Sequence, residues 1–419
     1  MGFLESLYTK DMLIKRIGHY FDYTVEANIM ALFLAFPFAL KYFNDAWMAL
    51  LIIYISSKLL RREGIELPPM ISFLILFALF VVVSAMFAHF EFGKTRYLFM
   101  GLATCLFVYD WFSRDEKRLS RVVIYFIISA LLASCVAVVQ ILLGNLSADY
   151  RVQGPFGNTF YLALWTGIGL FLTFIILAKS RGRVMLLCCL GVVIMLASAF
   201  ILSKTRAPWI AIMLVLGVTG YFLTNKRSVF IVFGVLIFLF GGMVVFDESV
   251  GPRLLAVMHN ADDLRWPMWQ KSVEAMTEQF SLRDWLVGRG PGAYSITLSY
   301  GAQDIKFAFP HLMPVELVYS LGIGGTVAFF VWVGALCSRM IRLLRETALM
   351  STLHPVGMTA LLVLLTCFFN ESFFARYFSF PFWFFSGIAL VLISEAEKLK
   401  INTLQPIEES DSGGECVIK

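Results

Sequence analysis

Apolar stretches long enough to cross a bilayer recur along this chain and leave it few ways to fold. They fall at about 25–40, 45–60, 70–89, 96–112, 121–143, 159–178, 184–203, 207–224, 229–246, 311–338, 355–374 and 377–394. A spanning helix needs about 20 apolar residues. It must be a helix, or part of a closed barrel, because lipid offers no partner to backbone N–H and C=O groups. With 59% of 419 residues apolar and 15% charged, a water-soluble domain could not cover so much apolar surface. A disordered chain is excluded on the same ground. The expectation is an all-α polytopic membrane protein of about 12 transmembrane helices.

An even number of crossings puts both termini on one side. The short loops on that side carry 15 Lys and Arg, against 7 in the short loops opposite. The positive-inside rule then places both termini in the cytoplasm. The net charge of +5 is thus a topology signal, and no basic aromatic face points to nucleic acid. Residues 1–246 should hold helices 1–9 and residues 311–395 helices 10–12, with a polar cytoplasmic tail over 396–419. The N-terminus has no apolar h-region or small-residue cleavage site, so no signal peptide is expected. Six of the seven cysteines lie in apolar runs and none forms a Cys-x-x-Cys. They read as small apolar residues rather than a disulfide or zinc framework.

One loop, 247–310, is far longer than the others on the non-cytoplasmic side, and long ordered loops are usually functional. It holds Trp266, Trp269 and Trp285. Trp266, Trp269, Val273, Met276 and Phe280 recur at helical spacing, with Asn260, Asp262 and Asp263 ahead of them as caps. This predicts an amphipathic helix and a helical lid that lies on the membrane or roofs a cavity.

Chemistry-bearing residues are few. His311, in PHLMPVEL, opens the span after the loop, with Pro314 suited to the first helical turn. A helix N-terminus disfavours imidazolium, leaving the neutral form that a general base needs. A plain capping or headgroup histidine is the other reading. Arg206, beside Lys204 in SKTRAPWIA, either clamps a phosphate through its planar fork or merely snorkels. Arg265 heads the amphipathic helix in line with Trp269 and Ser272, either beneath the lid or solvated. Arg151 lies in RVQGPFGN, and Arg289 in GRGPG, a phosphate cradle or a Gly-Pro turn. Glu316 is one of few acids near a span end. No Walker motif, nucleophile elbow or metal spacing is present. Mid-span carboxylates and Gly/Pro-broken helices in paired halves, which would signal a proton-driven transporter, are not evident.

Taken in order, several segments resemble the O-antigen ligase and polysaccharide polymerase superfamily of bacterial inner membranes. RVQGPFGNTFYLAL (151–164) resembles its Arg-x-x-Gly…Gly-Asn loop, and SKTRAPWIA (203–211) its Ser-x-(Ser/Thr)-Arg span start. RWPMWQKSVEAM (265–276) with WLVGRGPGAY (285–294) resembles its Arg-x-x-x-Trp helix and Gly-x-Gly-x-Gly turn. His311 with Gly322 and Gly325 resembles the His-led span. Leu312 and Ser320 depart from the Asn and the acid that many members carry there.

The resemblance implies a C-type glycosyltransferase-like fold and a metal-independent, cofactor-free, inverting transfer. The donor would be a glycan on undecaprenyl pyrophosphate, and the acceptor a sugar hydroxyl of lipid A–core, on the periplasmic face of the inner membrane. It gives His311 the base role and Arg206 and Arg265 the pyrophosphate. Arg151, Lys204, Arg289 and Glu316 would lie nearby. A single large loop favours a ligase. A polymerase of the same superfamily is the alternative, and a lipid or polysaccharide flippase the alternative from another class.

Overall fold

The computed structural model describes residues 20–87, 92–143, 152–179, 182–222, 265–300, 303–346, 354–368 and 374–404, with Phe230, Gly234, Ile237, Phe238, Gly241 and Ser372. Helices dominate: α1 (residues 20–35), α2 (Leu40–Arg61), α3 (Ile71–Phe87), α4 (Phe92–Phe112), α5 (Glu116–Leu142), α6 (Thr159–Lys179), α7 (Arg183–Leu202) and α8 (Arg206–Phe222) come first. After residue 264 follow α9 (Arg265–Gln279), α10 (Leu282–Val287), strands β1 (Ile296–Tyr300) and β2 (Gln303–Phe307), α11 (Met313–Arg345), α12 (Thr359–Phe368) and α13 (Arg376–Leu404).

Eleven of the twelve apolar runs coincide with helices. The ninth, 229–246, lies almost entirely outside the described residues. Among the described residues, six helices are long and apolar enough to cross a membrane: those of α2, α5, α6, α7, α11 and α13. α3, α8 and the stretch His354–Phe368 are apolar but shorter. The chain is therefore an all-α, membrane-embedded type of protein.

The last helix occupies the centre. α13 lies against α4 along its length, and the contact depends on two glycines. A Cβ on Gly101 would fall 2.1 Å from the Trp383 ring, and one on Gly387 would fall 2.7 Å from the Cys105 carbonyl. Small residues let helices approach this closely where no hydrophobic force drives them together in lipid. Around this pair the core is aromatic: Phe36 stacks on Trp165 at 4.2 Å, and Trp332 on Trp383 at 5.1 Å.

The two ends of the bundle differ. At one, Lys58 and Asp110, both buried, pair at 3.0 Å. Arg114 bridges Asp110 (3.2 Å) and Glu63 (3.0 Å), and Arg61 binds Asp22 at 2.9 Å. Tyr54 donates to Asp110, and the Glu66 amide does so at 2.9 Å. This network pins the α2–α3 connection to the end of α4. Arg345 of α11, 5.4 Å from the Phe222 ring of α8, lies at this same end.

The other end carries a small module with its own core, of Met268, Ala275, Met276, Tyr294, Ile296, Leu298 and Tyr319, backed by Trp269, Phe280 and Trp285. It differs from the expected helical lid in two ways. β1 and β2 form an antiparallel hairpin with Ile296 opposite Phe307; Ile296 and Leu298 point inward, as period-two alternation requires. The buried stripe of α9 runs through Met268, Ser272, Ala275 and Met276, while Trp266 and Val273 are half exposed. The expected caps Asn260, Asp262 and Asp263 lie outside the described residues.

α11 is interrupted. Gly322 has φ 68 and ψ −177 inside an otherwise helical run, a single break that the sequence reading did not place there. The freed carbonyls are taken by the module and by α3: Tyr319 O accepts from Arg289 N–H (3.0 Å), and Ser320 O from Gly290 N–H (2.9 Å) and from the Ser84 hydroxyl of α3 (2.5 Å). Satisfying these groups is what allows a break near the apolar zone.

Candidate functional site

The candidate residues sit at the module's end of the bundle in two groups. The first is built on the α5–α6 and α7–α8 turns. Gly154 takes φ 58, and Gln140 of α5 holds it from both sides, donating to its carbonyl (3.1 Å) and accepting from its amide (3.0 Å). Asn158 caps α6 by accepting from Phe160 N–H at 2.8 Å. Val152 N–H donates to Leu202 O at 3.3 Å, joining this turn to the one that carries Lys204 and Arg206. In that second turn the Ser203 hydroxyl donates to Phe200 O (2.6 Å), Thr205 to Ser203 O (3.1 Å), and the Trp209 indole to Phe200 O (3.1 Å). Lys204 adopts a left-handed conformation, φ 50. Arg206 therefore begins α8, half-buried, above a turn fixed by side chains. Arg151 lies outside the described residues.

The second group belongs to the module. Arg265 is the first described residue of α9 and half-buried, on the face of Trp269 and Ser272 as the sequence predicted. Trp269 donates its indole N–H to Pro310 O at 2.8 Å, so α9 holds the segment that presents His311. His311 is half-buried with its ring 4.3 Å from that of Phe309. The N-cap of α11 is Leu312 and Pro314 lies in its first turn, so His311 immediately precedes the cap. The ring is aimed by a left-handed backbone, φ 51, uncommon for a side-chain-bearing residue. These contacts bring Arg265 to the His311 segment and Arg206 with Lys204 to the Val152 turn; they do not tie one group to the other.

Glu316 is buried in the first turn of α11 and accepts from the Ser372 hydroxyl. Ser372 in turn accepts from Phe374 N–H at 3.2 Å. The α12–α13 connection thus reaches the root of α11 beside His311. Nothing in the sequence singled out Ser372, because a lone serine in an apolar run carries no spacing signal. Tyr294 is pushed up to about 12, mainly by burial and further by Tyr319 and Glu316, against the opposing Ser272 hydrogen bond of 2.6 Å. It stays protonated at neutral pH and works as a hydrogen-bonding strut.

Arg289 braces the module. Its guanidinium lies 4.5 Å over the Phe280 ring, donates to Gln279 O, and sits 3.5 Å from Asp284. Gly288, Gly290 and Gly292 all take positive φ, as a phosphate cradle would. The amides of Arg289 and Gly290 nevertheless point at Tyr319 O and Ser320 O. GRGPG is a docking turn, not a cradle.

Arg265 is the first described residue of α9, while α8 starts with Arg206 and has no acid in its first turn. A cation there opposes the helix dipole, and the two positive contributions add toward an anion. With Lys204 adjacent, this end of the bundle suits a phosphate-bearing ligand. Among the described residues no three His, Cys, Asp or Glu side chains gather as metal ligands do. No protein-family model matches the chain, and no curated protein matches it.

Proposed function

We propose that this protein is an O-antigen ligase, transferring a polysaccharide from undecaprenyl pyrophosphate to a sugar hydroxyl of lipid A–core at the periplasmic face of the bacterial inner membrane. The observation that carries the reading is the acid-free, arginine-headed start of α8, Arg206, at the bundle end where α9 carries Arg265 and holds the segment that presents His311. Arg206 and Arg265 hold the pyrophosphate and offset the charge that develops as it leaves. His311 takes the acceptor's hydroxyl proton. The acceptor oxygen attacks the anomeric carbon from the face opposite the pyrophosphate, whose bond to that carbon breaks with inversion. The module excludes water, which would otherwise hydrolyse the donor.

The broken α11 is the one feature that favours a flippase, since transporters use interrupted helices at cargo sites. Its carbonyls, however, are occupied by Arg289, Gly290 and Ser84, which leaves little for a cargo to bind. Deleting the gene and running lipopolysaccharide on a gel tests the assignment. Loss of the whole ladder with accumulation of lipid-linked polymer is expected. A single-repeat band would mean a polymerase. Absence of free undecaprenyl pyrophosphate from a reaction of purified protein, donor and acceptor would overturn transfer altogether.

A further inference from the structure

The outer face of α10 carries an inference that does not depend on the transferase reading. Leu282 and Leu286, one turn apart, are 77% and 54% exposed, while Asp284 and the Trp285 ring turn into the module. An isolated exposed leucine is ordinary, but this pair continues two larger surfaces. The Leu286 backbone lies against α11, where an added Cβ on Gly322 would fall 2.4 Å from its carbonyl carbon and one on Gly324 3.0 Å from its oxygen. Its side chain therefore emerges beside Ile323, head of the exposed stripe Ile323, Val327, Val331 on α11. On the other flank the Arg283 guanidinium lies 5.6 Å from the Phe87 ring. Phe87 and Met86 are the last described residues of the exposed stripe of α3 that passes through Ile75, Leu79 and Val82.

Uncovered apolar stripes on bundle helices of this hydropathy face lipid. Leu282 and Leu286 bridge two of them at the level of Phe87 on α3 and Ile323 on α11. We propose that α10 is an interfacial helix whose occupant is phospholipid. Leu282 and Leu286 enter the acyl boundary of the leaflet on the module's side, and Arg283, exposed beside them, meets headgroup phosphate. The module then rests on the membrane through α10, with Trp285 and Asp284 transmitting that anchorage to the Gly288–Gly322 junction.

The test places a photoreactive benzophenone in the full-length chain, as Leu282→p-benzoylphenylalanine or Leu286→p-benzoylphenylalanine, in vesicles of phosphatidylethanolamine and phosphatidylglycerol. Val327 on the lipid-facing stripe and Thr277 on the polar face of α9 are the reference positions. After irradiation, intact mass should show one-phospholipid adducts at 282 and 286, within about twofold of position 327 and at least about fivefold above 277. Yields at both positions no higher than at 277 would overturn the proposal. So would adducts to a second protein chain, which would make the face a protein interface.

Discussion

An arginine at the first position of a helix works against the dipole by about 0.3–1 kcal/mol. Arg206 holds that position on α8, and an anionic ligand turns the cost into a gain. Arg206→Ala and Arg265→Ala should each lower transfer by about 100-fold or more, equivalent to roughly 3 kcal/mol. Lysine at either site should recover only part, because a point charge lacks the bidentate fork. Near-normal rates for both alanine variants in a well-expressed preparation would remove pyrophosphate clamping. His311 separates activity from stability. Its left-handed backbone, φ 51, costs a histidine about 1 kcal/mol and glycine almost nothing. His311→Gly should therefore melt no lower than the parent protein while losing transfer. A variant that still transfers at near the parental rate would move the base elsewhere, with Glu316 next. His311 and Arg206 stood out in the sequence as candidates because such residue types at span starts are costly unless used, and Arg265 because it heads an amphipathic helix. Ser372 did not, since its partner Glu316 lies 56 residues away.

Among the elements, the joint between α10 and α11 is the most sensitive. Gly288 and Gly322 face each other's chains, and a Cβ on either would fall 2.3–2.5 Å from backbone atoms. Backbone cannot give way as a side chain can. Gly322→Ala should release the module, seen as rapid limited proteolysis between residues 265 and 312 with the bundle intact. Protection equal to the parent's would show that α11 tolerates regular helix there. α10 itself is secured by a capping box in which Ser281 and Asp284 exchange hydrogen bonds. Burial raises the Asp284 carboxyl, but Arg283 and the Ser281 amide and hydroxyl outweigh it and hold it below the usual range. Its contribution is thus full above the ordinary carboxylate range and is lost only as pH falls through the depressed value. Asp284→Asn should cost the module about 1 kcal/mol near neutral pH, measured by hydrogen exchange of α10. The hairpin was missed in the sequence, although ITLSY and QDIKF alternate on either side of Gly301. The tryptophans of α9 drew the helical stripe one residue off, because Trp266 is apolar yet faces outward.

At the scale of the molecule, hydropathy alone located eleven runs that are helices, because a span is long and its composition extreme. Hydropathy could not say which helix is central, since lipid-facing and core-facing residues are alike apolar. Charge predicts orientation: a reporter fused after residue 260 should read periplasmic, and reporters after 182 or at the C-terminus cytoplasmic. A cytoplasmic signal at 260 would invert the site's side. The central place of α13 bears on how the protein is made. Its partners on α4 are met 282 and 285 residues earlier, as Ser379 binds Tyr97 O and Ser394 binds Tyr109. At about 5–20 residues per second, α4 waits roughly 15–60 s in the membrane for the helix that fills its notch. Newly inserted helices must be kept apart from wrong neighbours for that interval. Chains that stop before α13 expose the Gly101 groove and should be cleared by membrane proteases, while chains that stop just after residue 404 should accumulate normally.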